Sequence, residues 1–551
     1  YPYDNCVVVE GPLYAGGGME YPMVTIISSE ILKPRYLDEV VAHEVGHNWF
    51  QGILASNERV HPWLDEGVNS FYERRYMIEK YGEDMSMPKE ISKLFGAEEM
   101  DLRSLAYLIQ VNRLKAQPIG LHSEKFTAAN YGIMVYMTTP IMLEALEAYM
   151  GRDEFDVLMQ KYFSEWKFKH PHPEDFESVL ESSGKNLDWF FNDIIQTSDN
   201  VDYKLVKKLK QEKTIGGISY ATLRVKNKGF VSSPFTVSGI KGDSVIKTTW
   251  YDGFNGELDL LFMDGDYDFY MVDAPKYFPD VNRRNNVLKT KGVFKKIPNL
   301  RFQPGFSLKN KEKAEVLYMP AVLWNSYDKL MLGASIYNGF LFQETVEYGI
   351  TPLYALGSKQ LVGSARFGFN FIALSSLSIK NVNVNFSATK FSYFNHENLG
   401  NLNYNRLITT TRFNFREKNL RDKKRSYVEL RTAVINKEYG KKYTTYYDKL
   451  DIWEKKNLNY NLVDFHYVIE QKQVLKDYKL DMRLEAGEGL LKTNLTYNTL
   501  LRFSEKSKMN VRLFAGCFLY NDNNTAVDYR YRMSGYQGKN DYWFDNMYLG
   551  R

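Results

Sequence analysis

The segment His43-Glu44-Val45-Gly46-His47 combines the residue types and the spacing of a metal site. Residues four apart share one face of a helix, so His43 and His47 can offer two imidazole nitrogens to one zinc ion. Glu44 lies beside them and could take a proton from the attacking water. Because the chain has only 8 histidines, a chance match to this pattern has odds of about one in a hundred.

A catalytic zinc needs a third protein ligand and an open position. The segment Trp63-Leu64-Asp65-Glu66-Gly67 opens a second helical run, and Glu66 would complete a His₂Glu ligand set for one zinc per chain. Glu73 falls two turns further along the same face, where it could accept a hydrogen bond from a ligand histidine or simply face solvent. Asp65 is expected to start the second helix.

The spacing of His43, His47 and Glu66 resembles that of the zinc aminopeptidases of the membrane alanyl aminopeptidase family, the M1 gluzincins. The resemblance covers about residues 1–200. It implies a thermolysin-like, mainly helical zinc peptidase domain that hydrolyses peptides at their N-terminus.

A second motif, Gly17-Gly18-Met19-Glu20-Tyr21, resembles the Gly-Ala-Met-Glu-Asn exopeptidase motif of the same family. The resemblance implies that Gly18 and Met19 bind the substrate backbone and that Glu20 binds its free α-amine. Two positions depart from the family pattern, since Gly18 stands in place of alanine and Tyr21 in place of asparagine.

The family also uses a tyrosine hydroxyl to stabilise the oxyanion, and two tyrosines fit the required spacing. Tyr136 is followed by an apolar helix in the family register, although Thr138 replaces the lysine of the motif. Tyr131 lacks this context but its spacing also fits. The resemblance favours Tyr136 and leaves Tyr131 as the alternative.

Composition narrows the class of protein. Lys+Arg is 71 and Asp+Glu is 67 in 551 residues, a net charge of +4, which gives no general attraction to nucleic acid. Two cysteines exclude a disulfide scaffold. No apolar run approaches the roughly 18 residues of a membrane-spanning helix. The aromatic fraction is high at 15%, as in many β-rich chains. The chain starts at Tyr1, which suggests that an N-terminal part is missing.

The hydrophobic pattern predicts a multidomain α+β protein. Helical periodicity fills most of residues 1–200, the catalytic domain. Residues 201–290 alternate in short segments that predict an immunoglobulin-like β-sandwich, and residues 291–315 form a linker. From 316 to 551 about eleven longer alternating segments predict part of an antiparallel β-barrel of the outer-membrane type.

These patterns together predict a zinc-dependent aminopeptidase anchored in a bacterial outer membrane. Its partners would be peptides with a free N-terminus and the membrane lipid, without nucleic acid. The long connections Ser392–Asn403 and Asn436–Asn459, counted as outer loops, place the catalytic domain in the periplasm. Two other readings remain: an epoxide-hydrolysing relative, and a peptidase-like binding module without catalysis.

Overall fold

The structure, a computed structural model, describes residues 3–14, 16–31, 33–82, 101–292, 300–307, 314–339, 343–372, 378–444, 451–473, 477–522, 529–531 and 541–545. The chain separates into two compact units. The first contains residues 1–301 and 308–314, and the second contains residues 302–307 and 315–551. The mixed α+β, multidomain architecture is confirmed.

The first unit opens with a small three-stranded sheet, β1 (Val7–Gly11), β2 (Gly18–Met19) and β3 (Val24–Ser28), in the order β1-β3-β2. β3 pairs in parallel with β1 and antiparallel with β2. Because β2 lies at the edge of this sheet, the side of β2 that faces away from β3 can accept another strand.

Helices follow the sheet. α1 (Pro34–His47) begins with proline at its first turn, the position where a missing N–H costs nothing. It continues through a wider π-type turn, Asn48–Ile53. A second π-type turn, Trp63–Gly67, leads into α2 (Val68–Tyr81), which ends at Gly82 with a left-handed φ of 76°. The later helices are α3 (Leu102–Asn112), α4 (Thr139–Met150), α5 (Arg152–Trp166) and α6 (Pro173–Glu181).

The remainder of the first unit is a seven-stranded β region. β4 (Tyr203–Ile215), β5 (Ile218–Asn227) and β8 (Glu257–Met263) form one sheet. The other has the order β10-β9-β6-β7, from β6 (Phe235–Lys241), β7 (Ser244–Tyr251), β9 (Phe269–Val272) and β10 (Val287–Lys289). Aromatic contacts join strands of the two sheets, as between Tyr203 and Phe235 at 4.5 Å and between Phe262 and Tyr270 at 5.7 Å.

One antiparallel sheet dominates the second unit. It has twelve strands in simple sequence order, beginning with β11 (Leu300–Pro304). The other eleven strands are β12 (Ala314–Asn325), β13 (Lys329–Tyr337), β14 (Val346–Ala355), β15 (Gln360–Ile372), β16 (Ile379–His396), β17 (Gly400–Phe415), β18 (Lys424–Thr444), β19 (Asp451–Gln471), β20 (Asp477–Gly487), β21 (Leu490–Arg502) and β22 (Lys508–Asn521). The sequence predicts part of an outer-membrane-type barrel, but among the described residues the first and last strands do not pair with each other, so the sheet is not closed.

The predicted long connections of this sheet are wrong. Most of Ser392–Asn403 belongs to β16 and β17, which are joined by a short turn at 397–399. Similarly, Asn436–Thr444 and Asp451–Asn459 pair with each other as the ends of β18 and β19. At the joined ends of β18 and β19 neither face is buried, so the apolar alternation that marks a strand is weak there.

The two faces of the large sheet differ in an unusual way. In β19, Asp464 and His466 are buried while Val463 and Phe465 are exposed. The buried face holds an apolar cluster that includes Tyr404, Ile435 and Leu462 together with Trp543 and Phe544 from near the C-terminus. Arg406 donates hydrogen bonds to the carbonyl oxygens of Trp543 and Phe544 at 3.1 and 2.8 Å, which fixes that segment against the sheet.

In the described part of the chain, no helix combines the length and the apolar character needed to cross a membrane.

Candidate metal centre

The face that α1 turns inward carries the predicted site. Val40, Glu44 and His47 are its buried residues and recur at helical spacing. α2 packs alongside, beginning just after Glu66, with Trp63 and Phe71 fully buried beneath it. Two helices anchored in one core therefore hold the three candidate ligands.

The structure brings His43, His47 and Glu66 together. His43 Nε2 lies 3.1 Å from His47 Nε2, and the Glu66 Oε2 atom lies 3.1 Å from each of these nitrogens. Their three ligand atoms form an almost equilateral triangle. Zinc bonds of about 2.0–2.1 Å at tetrahedral angles would place ligand atoms about 3.3 Å apart, so the triangle has the size that a zinc ion requires.

The opposite nitrogen of each histidine is fixed by a carboxylate. His43 Nδ1 lies 2.9 Å from Glu73 Oε2, and His47 Nδ1 lies 2.7 Å from Asp65 Oδ1. If each Nδ1 donates its proton to its carboxylate, both Nε2 lone pairs point into the triangle. Three acceptor atoms that face one another at 3.1 Å repel unless a proton or a metal cation lies among them. The donor set therefore fits zinc.

Two of these carboxylates make contacts that the sequence alone did not establish. Asp65, predicted to start a helix, lies within the π-type turn and is 1% exposed, with its side chain against His47. Glu73 is held on its other side by Arg103, whose guanidinium donates to Glu73 Oε1 at 3.0 Å. Arg103 was missed because it lies on α3, far along the chain, and no spacing rule connects it to the motif.

Glu44 follows His43 on α1 and is 6% exposed. Its Oε2 atom is buried and has no hydrogen-bond partner. Burial raises the pKa of this carboxyl to about 7. A Cβ atom on Gly18 would lie 2.4 Å from the Glu44 side chain, so alanine at position 18 would require that side chain to shift.

The two candidate tyrosines both lie beside the candidate ligands. The Tyr136 hydroxyl donates a hydrogen bond to Glu66 Oε1, and its ring stacks on His43 with centroids 5.9 Å apart. Tyr131 packs edge-on against Tyr136 at 5.8 Å. Burial, with the Glu66 charge, raises the pKa of Tyr136 far above its usual value, and burial raises that of Tyr131 to about 12. Tyr136 is therefore a neutral donor that directly contacts a candidate ligand.

The charges of the centre favour a positive ion within it. Burial alone would lower the pKa of His43, yet its hydrogen bonds to Glu66 and Glu73 raise the pKa to about 9. Burial alone would raise the pKa of Glu66, yet hydrogen bonds from His43 and His47 hold it well below its usual value. The carboxylates at the centre therefore outweigh the cost of burying a cation.

Comparison with known proteins locates this centre within a family domain. Residues 1–194 match the description "Peptidase family M1 domain". "Leucine aminopeptidase 2" of Sclerotinia sclerotiorum is 25% identical over 264 residues, which are 45% of this chain and 41% of the relative. "Leukotriene A-4 hydrolase" of Xenopus laevis is 28% identical over 195 residues, 35% of this chain and 30% of the relative. The chain spans less than half the length of these relatives.

Among solved structures, Legionella pneumophila aminopeptidase A in complex with aspartic acid matches 52% of this chain and 32% of its own, at 17% identity and a TM-score of 0.36. The matched residues 1–194 include His43, His47 and Glu66. Residues 1–194 are thus similar to a peptidase family M1 domain, and the candidate metal centre lies within the matched residues.

Proposed function

We propose that this protein is a zinc-dependent aminopeptidase. The observation that carries the proposal is the triangle of His43 Nε2, His47 Nε2 and Glu66 Oε2, with each imidazole held from behind by a carboxylate. His43, His47 and Glu66 would hold the ion, with Glu73 and Asp65 orienting the histidines. A bound zinc ion supplies a Lewis acid that polarises the scissile carbonyl and acidifies water.

The remaining side chains divide the work of proton transfer and charge stabilisation. Glu44, whose Oε2 has no partner, accepts a proton from the attacking water and passes it to the leaving amine. Tyr136 donates a hydrogen bond to the oxyanion as charge develops there. Its present bond to Glu66 shows that the hydroxyl reaches the ligand set.

Substrate placement falls to the edge strand. Gly18 and Met19 in β2 present a free edge of the sheet, and an extended peptide could pair with it through backbone hydrogen bonds. Glu20 follows directly and would pair with the free α-ammonium of the substrate. This pairing allows cleavage of only the first peptide bond, since an internal residue carries no ammonium.

The test is hydrolysis of leucine p-nitroanilide by the purified full chain, with zinc measured on the same sample. We expect turnover that a chelator abolishes and added zinc restores, and no turnover of the N-acetylated compound. Epoxide hydrolysis, suggested by the name of some relatives, is the second candidate, and a leukotriene-type epoxide serves as its substrate. A protein that holds zinc and turns over neither would be a binding module.

We also propose that the second unit meets lipid in a bacterial outer membrane. The exposed side chains of its strands include Val322, Leu361, Leu407, Val434 and Leu513, each more than half exposed. The opposite face buries charged pairs, as between Glu485 and Lys492. A soluble sheet has the reverse arrangement, whereas a sheet in lipid presents its apolar side outward.

A further inference from the structure

Two neighbouring ion pairs join α2 to the start of α3. Glu73 of α2 pairs with Arg103 of α3 at 3.0 Å, and the next residue of α2, Arg74, pairs with Asp101 at 3.5 Å. The Asp101 carboxylate also caps α3, because it accepts hydrogen bonds from the backbone N–H groups of Arg103 and Ser104. Arg103 therefore lies in the first turn of a helix whose start is tied to α2.

The pair formed by Arg103 continues to a candidate metal ligand. Glu73 accepts from Arg103 through Oε1 at 3.0 Å, and its Oε2 lies 2.9 Å from Nδ1 of His43. The neighbouring Arg74 contacts the carboxylates of Asp101 and Glu144 instead. The two arginines thus tie the same helices together, but it is the pair with Arg103 that leads to His43.

Arg103 is buried between the helices that frame the centre. The side chains of Arg103 and Glu73 are 4% and 8% exposed. The same guanidinium also lies 3.7 Å from Glu39, which is one helical turn before His43 on α1. Because the guanidinium is planar and rigid, each carboxylate that pairs with it is held in one direction. Arg103 therefore contacts both α1 and α2 and fixes the carboxylate between them.

The two candidate histidine ligands are supported in different ways. Asp65, which holds His47, directly precedes the candidate ligand Glu66, so the chain itself fixes its place. Glu73 has a longer side chain with more rotamers and lies two turns further along. Its carboxylate needs a second contact to keep one oxygen on His43, and Arg103 supplies that contact.

We propose that Arg103 is a positioning residue for the metal centre, acting through Glu73 to hold the His43 ring with Nε2 directed at the ion. The inference rests on the zinc-dependent function proposed above and deepens it. Arg103 holds one oxygen of Glu73, and the other oxygen then meets Nδ1 of His43. Zinc affinity consequently depends on a side chain that does not itself bind the metal.

The experiment measures zinc affinity by competition with a chromogenic chelator, in full-length Arg103→Met, Arg103→Lys and Arg74→Met. Loss of the groups behind a ligand histidine weakens metal binding by about 10- to 100-fold, so we expect a loss of about tenfold or more in Arg103→Met. Arg103→Lys keeps a charged donor and should recover part of it. Arg74→Met breaks the neighbouring pair between the same helices and should match wild type. Equal losses in Arg103→Met and Arg74→Met would reduce Arg103 to a helix tie and overturn the inference.

A double-variant cycle tests whether the effect passes through Glu73. Arg103→Met leaves a buried carboxylate without its cation, which destabilises the fold, whereas Glu73→Gln combined with Arg103→Met removes both charges. If Arg103 acts through Glu73, the combined variant should bind zinc as Glu73→Gln does. A further tenfold loss in the combined variant would contradict the proposal. This comparison holds even where Arg103→Met alone does not fold.

The absorption spectrum of the cobalt-substituted protein gives a readout besides affinity. Cobalt(II) in place of zinc reports the geometry of its ligands, so we expect the visible bands to shift in Arg103→Met and to stay unchanged in Arg74→Met. A wild-type spectrum and wild-type zinc affinity in Arg103→Met would overturn this inference alone. A wild-type protein that binds no zinc would instead overturn the proposed function as well.

Discussion

At the scale of single residues, the candidate metal ligands and the proposed general base are different side chains. His43, His47 and Glu66 converge on one point, whereas Glu44 lies beside them with a free oxygen. The ligands and the proposed base can therefore be removed independently of one another.

We expect Glu44→Gln to abolish turnover and to retain zinc, because the amide has the same size but cannot accept the proton. Glu66→Ala should lose both zinc and activity, since two ligands remain. Zinc is measured by elemental analysis and turnover with leucine p-nitroanilide. Loss of zinc from Glu44→Gln would show that Glu44 helps to hold the ion, contrary to the role assigned here.

Much of this residue-scale picture follows from the sequence, because ligand spacing is a local property. His43 and His47 are one helical turn apart, and spacing alone places them on one face. Asp65 lies near the start of the second helical run, as expected, but its side chain contacts His47 and does not cap the helix. Arg103 reaches the centre through tertiary packing, which no local pattern encodes.

At the scale of elements, the site depends on how closely β2 approaches α1. A Cβ on residue 18 would overlap Glu44. The backbone of β2 is therefore in direct contact with a side chain of α1. The spacing between substrate and base is set at this contact.

We expect Gly18→Ala to reduce kcat by about 10- to 100-fold without loss of zinc, because displacing a reacting group by about 1 Å has effects of this order. Gly132→Ala is a suitable control, since a Cβ there meets no atom within 4 Å. Steady-state kinetics and zinc content are compared for the two variants. Unchanged kcat in Gly18→Ala would mean that Glu44 moves aside without cost.

The β region of the first unit contains a buried ion pair. Arg283 and Asp273 are each 3% exposed and paired at 2.6 Å. We expect Arg283→Met to lower the free energy of unfolding by about 3–5 kcal/mol, because Asp273 then remains buried and unpaired. Arg224→Met removes the exposed pair with Asp259 and should cost less than about 1 kcal/mol. Urea-dependent hydrogen exchange of β4 to β10 measures both, and equal effects would contradict the argument.

At the scale of the whole molecule, the lengths of β18 and β19 bear on how the second unit would be oriented in a membrane. β18 and β19 have 21 residues each, about twice the 9–11 that cross a bilayer. The residues beyond that length lie at the end where β18 and β19 are joined. In outer-membrane proteins the longer extramembrane parts face outward, so β12, which starts at the other end, would begin on the periplasmic side, preceded in the chain by the catalytic domain.

Protease treatment of intact cells tests this orientation. We expect the peptidase domain to survive until the outer membrane is permeabilised, because a periplasmic domain is shielded from added protease. The positive control is an outer-membrane protein with a surface loop that the same protease is known to cleave. Degradation of residues 1–301 in intact cells would place the domain outside.

The C-terminal segment has a consequence for what this unit can transport. Trp543 and Phe544 pack among Tyr404, Ile435 and Leu462 on the buried face of the large sheet, and Arg406 and Arg431 both pair with Asp545. Side chains rather than water therefore occupy that face where this segment crosses it. We expect vesicles that contain the protein to stay tight to ions and small sugars.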